Sequence, residues 1–84
     1  MSSSAAFPLT AAGVGSCVRL ERIRAGEKLA HRLAEMGLTP GVELCVVQDA
    51  GGPLLLAVRG SRLALGRGMA HKMLVSPLTH SQLS

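Results

Sequence analysis

Aromatic side chains are almost missing from this sequence: Phe7 stands alone, with no Trp and no Tyr in 84 residues. That scarcity excludes functions that need aromatic platforms. Grooves that hold polyproline segments are lined with aromatic rings, and single-stranded nucleic acids are held by stacking bases on them. Cysteine is sparse as well. Cys17 and Cys45 are the only two, with no CxxC pair, whereas small disulfide scaffolds carry four to eight. The two thiols are therefore expected to be reduced and inert, in a cytosolic setting. Long apolar runs are lacking too, since the stretch Pro53 to Val58 falls far below the roughly 18 residues that span a bilayer. The first residues, MSSSAAFPLTAAGVGS, have neither the basic start nor the apolar stretch of a secretory signal. A cytoplasmic location is the expectation.

Catalytic motifs are also missing. No GxSxG, P-loop or HExxH occurs, and the five Asp and Glu are scattered, so a non-enzymatic role is expected.

What remains is aliphatic and basic. The composition is 48% hydrophobic, which excludes disorder as a description of the whole chain, and the length supports one domain. Nine Lys and Arg against five Asp and Glu leave a net charge of +4. Such a balance favours an acidic partner surface, a nucleic acid or an anionic lipid face.

The pattern along the chain predicts mostly strands. Residues 1–14 are small and polar and read as a flexible tail, residues 15–78 as the domain, and 79–84 as a second tail. CVRLERI sets Val18 and Leu20 against Arg19 and Glu21, a strand that slips at Arg22. In AGEKLAHRLAEMG, Leu29, Ala30, Leu33 and Met36 form one helical stripe, with Lys28, His31, Arg32 and Glu35 outward. The helix is expected to stop firmly. Gly37 suits a left-handed C′ position, Leu38 would then fold back onto Leu33, and Thr39-Pro40-Gly41-Val42 suits a type II turn. VELCVV, LLLAV, RLAL and LVSPL follow as strands, with a tight turn expected at Gly60-Ser61 and a single helical turn in GRGMAHKM. The fold class is mainly β with one to two short helices, arranged as a small, partly open β-barrel. Its core is expected to use Val18, Leu20, Leu29, Leu33, Met36, Leu38, Val42, Leu44, Val46, Leu54, Leu56, Val58, Leu63, Leu65 and Leu74.

Two stretches, RLAEMGLTPGVELCVV and GGPLLLAVRGSRLALGRGMAHKMLV, resemble the ferrous iron transport protein A (FeoA) family, over about Val18 to Val75. The resemblance implies an SH3-like barrel in a small cytoplasmic protein peripheral to the membrane. It also implies an accessory or activating role beside FeoB, a Fe(II) transporter with a cytoplasmic G-protein-like domain. A similar domain forms the C-terminal part of some metal-dependent transcriptional repressors.

Candidate site residues follow from residue type. Arg59, Arg62 and Arg67 fall within nine residues among glycines, and guanidinium groups suit bidentate contact with carboxylates. Outward Leu55 and the corner residue Pro40 would supply an apolar centre. Leu33, Gly37, Leu38 and Gly41 read as structural. No cofactor is required, but Glu27, His31 and Glu35 lie one turn apart on the polar helix face and would hold Fe2+ or Zn2+ weakly. That face supports an alternative reading as a metal-binding sensor. A second alternative is a small basic nucleic-acid module, which the missing aromatics disfavour. An exposed strand edge would permit a weak homodimer.

Overall fold

A computed structural model describes residues 6–78. Six strands form one antiparallel sheet in the order β1-β6-β2-β3-β4-β5. In chain order these are β1 (Phe7–Pro8), β2 (Cys17–Ile23), β3 (Glu43–Asp49), β4 (Leu54–Val58), β5 (Ser61–Leu65) and β6 (Met73–Pro77). Helix α1 (Glu27–Glu35) links β2 to β3, and the single turn α2 (Arg67–Ala70) links β5 to β6. Register shifts between Leu20 and Arg22 and between Val46 and Gln48 bend β2 and β3, as bulges do. The expected slip at Arg22 is the first of these. The architecture is the expected open, SH3-like β fold with two short helices.

Alternation puts the core on one face. Val18 and Leu20 of β2, Leu44 and Val46 of β3, Leu54, Leu56 and Val58 of β4, and Leu65 of β5 are all buried. Leu29, Val42 and Leu63 are half-buried and pack against them. β6 departs from this pattern, because Met73, Leu74, Val75 and Ser76 are all buried. It lies between β1 and β2; Met73 and Val75 join the core cluster, whereas Leu74, expected in the core, is buried outside it, so neither face of the strand is left to solvent.

Two expectations are corrected here. Met36 is 43% exposed, because α1 ends at Glu35 and Met36 is its C-cap, past the stripe that faces the sheet. The flexible tail expected over residues 1–14 does not describe residues 7–12. Phe7 and Pro8 pair with Val75 and Leu74, the following 3-10 turn carries Leu9 at 0% exposure, and Ala12 is buried too. Residues 1–5 and the expected tail 79–84 lie outside the described residues.

The corner after α1 forms as its residues dictate. Leu38 N–H donates to the Leu33 carbonyl and Gly37 N–H to the Ala34 carbonyl, both at 2.9 Å, the two bonds of a Schellman stop. Gly37 has φ +91°, a region that a Cβ makes costly. Val42 N–H then closes the turn on the Thr39 carbonyl at 3.0 Å, and Gly41 N–H reaches back to the Leu20 carbonyl at 2.7 Å. The corner is thus bonded to β2 as well as to itself.

Candidate protein-docking surface

The β4–β5 connection is one residue earlier than expected. Val58 pairs with Ser61, so the two-residue turn is Arg59-Gly60, with φ +54° and +82°. Positive φ at both positions is the type I′ geometry that suits the twist of a hairpin. Arg59 therefore stands at the hairpin tip, in a conformation that non-glycine residues seldom adopt.

The outward face beside this tip is built from cross-strand rows. In one row Cys17 of β2 opposes Cys45 of β3, Cys45 opposes Ala57 of β4, and Ala57 opposes Arg62 of β5. In the next, Arg19 opposes Glu43 and the two form an ion pair at 3.5 Å; being exposed, it is worth about 0–1 kcal/mol. On the other side Leu55 opposes Ala64. Leu55 and Ala57 are half-buried, and Arg59, Arg62 and Ala64 are exposed. A shallow cleft of about 380 Å³ lined by Gly41, Val42, Glu43 and Arg59 opens beside the tip. Exposed Pro40 borders it in sequence.

The three arginines expected to act together divide into two groups. Arg59 and Arg62 make no ion pair among the described residues. Arg67 is engaged. Its Nη1 donates to Asp49 Oδ1 at 2.6 Å and to the Gly52 carbonyl at 3.2 Å, and its Nη2 to Asp49 Oδ2 at 3.5 Å. The Arg67 guanidinium, aided by the Gly51 N–H, holds the Asp49 carboxyl below its ordinary pKa, and Asp49 raises that of Arg67 in turn. This clamp ties the β3–β4 loop to α2, so Arg67 is a structural residue and not part of the free cluster.

The cysteines need a correction. Cys17 and Cys45 form a disulfide, with Cα atoms 3.9 Å apart, and are not the reduced thiols expected from their small number. The pairing could have been suspected from charge. Cys17 precedes Arg19 by two residues and Cys45 follows Glu43 by two, so the antiparallel register that joins the ion pair also joins the cysteines.

On α1, His31 Nε2 and Glu35 Oε2 come within 3.5 Å, both exposed. They border a wide concavity of about 860 Å³ with Glu27, Lys28, Ala30 and Arg32. Glu27 does not join them at a metal-holding distance: among the described residues no three His, Cys, Asp or Glu side chains converge. A further basic cleft of about 290 Å³ is lined by Pro8, Arg24, His71 and Lys72. It escaped the sequence reading because β1 and β6 bring its walls together from opposite ends of the chain. No helix among the described residues is long and apolar enough to cross a membrane.

Comparison with known proteins agrees with this geometry. A FeoA domain model matches residues 7–77, which includes the β1 segment. A putative Fe(2+) transport protein A from Methanocaldococcus jannaschii is 38% identical over 69 residues, covering 82% of this chain and 84% of that protein. Among solved structures, a crystal structure of an iron uptake regulatory protein (FeoA) superposes with a TM-score of 0.80 at 34% identity, over 88% of this chain and 99% of that one. A manganese-dependent transcriptional repressor in complex with manganese reaches a TM-score of 0.82 at 24% identity. It overlaps 90% of this chain but 38% of the repressor, a likeness of fold alone. With the family match spanning nearly all the described residues, the chain belongs to the FeoA domain family.

Proposed function

We propose that this chain is a non-enzymatic accessory protein of ferrous iron uptake, acting in the cytoplasm by contact with the cytoplasmic part of a FeoB-type transporter. The observation that carries the reading is the pair Arg59 and Arg62. Both are exposed and without an ion-pair partner among the described residues. Arg59 stands on the two-residue turn and Arg62 on the strand that follows it, beside the half-buried Leu55 and Ala57. Guanidinium groups fixed beside a small apolar patch suit an acidic protein surface, since they form planar two-point contacts with carboxylates. Family membership supports the setting, since the relatives named above carry iron transport or uptake in their names. Cofactors have no part in this contact.

The test is the double charge reversal Arg59→Glu/Arg62→Glu. The expected outcome is a folded protein that no longer stimulates Fe(II) uptake in cells carrying the transporter. Wild-type uptake with that variant would contradict the reading.

A second reading, a weak divalent-metal site on α1, has one observation in its favour: the 3.5 Å approach of His31 to Glu35. An imidazole and a carboxylate one turn apart share a divalent ion readily, but two exposed ligands hold it loosely. Isothermal titration of Fe2+ or Zn2+ tests it, and heat absent from wild type at micromolar protein rejects it. A weak homodimer through the edge strand β5 is compatible with either reading.

A further inference from the structure

The disulfide occupies an unusual place for a structural staple. Cys17 is exposed and Cys45 half-buried, and both lie on the outward face while their neighbours Val18, Leu44 and Val46 fill the core. The strands that it joins are already held by other means. Val46 N–H donates to the Ser16 carbonyl at 2.9 Å, Gly15 N–H to the Val46 carbonyl at 2.8 Å and Leu20 N–H to the Val42 carbonyl at 2.9 Å. Arg19 and Glu43 add their ion pair one row along. None of these contacts runs through the sulfur atoms. The two cysteines oppose each other in the β2–β3 register, so thiols released there stay close while the strands remain paired, which favours closing the bridge again over reaction elsewhere.

From this we propose that Cys17–Cys45 is a reversible thiol–disulfide exchange site, taking small dithiols or dithiol proteins as co-substrate while the sheet stays paired. A thiolate of the dithiol attacks the exposed sulfur of Cys17. The Cys17–Cys45 bond breaks, and Cys45 leaves as a thiolate and takes up a proton. The second thiol of the co-substrate then attacks its own sulfur in the mixed disulfide, releasing Cys17, which is protonated in turn. The protein disulfide gains two electrons and two protons, and the dithiol is oxidised to a disulfide. In a reducing compartment, disulfides of this exposed kind are the labile ones. The exchange changes the face that carries the arginine tip: Cys45 opposes Ala57, and Ala57 opposes Arg62. The site stands on the placement of the two cysteines and does not depend on the identity of the docking partner.

The experiment uses the full chain, oxidised, in native buffer. Millimolar dithiothreitol is added, samples are quenched with iodoacetamide for intact mass, and amide spectra are recorded in parallel. The expected result is addition of two carbamidomethyl groups within minutes, with native peak dispersion retained. Shifts should be confined to the surroundings of Cys17, Cys45, Ala57 and Arg62, and oxidised dithiothreitol should restore the starting spectrum. A bridge that opens only in denaturant would overturn the proposal, as would opening that collapses the spectrum. The variant Cys17→Ser/Cys45→Ser serves as the control and should take up no label; the wild-type measurement decides without it.

Discussion

Arg67 grips Asp49 through two guanidinium nitrogens, at 2.6 and 3.5 Å, and the pair fixes the β3–β4 loop against α2. Both groups are polar and solvent-reachable, so the clamp acts on local order more than on global stability. Its electrostatics have a definite sign. Asp49 has a folded pKa below its ordinary value of 3.8, chiefly through the Arg67 hydrogen bond. A depressed carboxyl stabilises the folded state above its unfolded pKa, and that contribution is lost as pH falls through the lower folded value.

The first prediction follows directly. On acidification from neutral pH, the Gly51 amide signal should move as Asp49 takes up its proton, with a midpoint below the ordinary carboxyl value of 3.8. In Asp49→Asn that titration step should be absent. A midpoint for Asp49 at or above its ordinary value, measured by carboxyl chemical shift, would contradict the clamp.

The helix stop gives a second prediction. Gly37→Ala places a Cβ at φ +91° and should cost about 1–2 kcal/mol. Leu38→Ala removes a fully buried side chain and should cost about 2–5 kcal/mol. Urea unfolding checks both, and near-zero changes in the two would remove the corner from its structural role.

At the hairpin tip, stability and function are expected to pull apart. Arg59 has φ +54° beside Gly60, where asparagine is strongly preferred. Arg59→Asn should raise stability by about 0.5–1 kcal/mol while weakening stimulation of iron uptake. A variant that is more stable and fully active would show that the guanidinium has no docking role.

For the disulfide, the closed loop spans 28 residues. Cross-linking a loop of that length should stabilise the oxidised chain by about 2–4 kcal/mol over the reduced one, mainly by restricting the unfolded state. Parallel urea curves with and without reductant measure the difference. Coincident curves would show that the bridge contributes nothing.

What could be read from the sequence was local. The Gly37-Leu38 stop and the Thr39–Val42 turn were legible because each backbone conformation admits few residue types, and those residues stand together in the chain. The inward rows of β2, β3 and β4 were legible because a half-buried strand alternates. Long-range pairing hid the rest. Leu9 is buried in a segment whose Phe7 and Pro8 pair with β6, nearly seventy residues away, and nothing in AAFPLTAA announces that contact. β6 carries Met73 and Val75 in a run without alternation, so its coverage on both faces could not be foreseen. Arg67 looked equivalent to Arg59 and Arg62 until Asp49, 18 residues distant, was placed beside it. Met36 followed the helical stripe in number but fell past the last turn that faces the sheet.

The proposed function rests on docking of the Arg59-Arg62 face against an acidic surface of the transporter. The most direct measurement is calorimetric titration of this protein into the soluble cytoplasmic domain of its cognate FeoB, with and without a GTP analogue. Binding at micromolar affinity or tighter is predicted. It should be lost in Arg59→Glu/Arg62→Glu and kept in Arg67→Gln, whose side chain is already occupied by Asp49. Equal affinity for wild type and the double reversal, or no binding in either nucleotide state, would contradict the account.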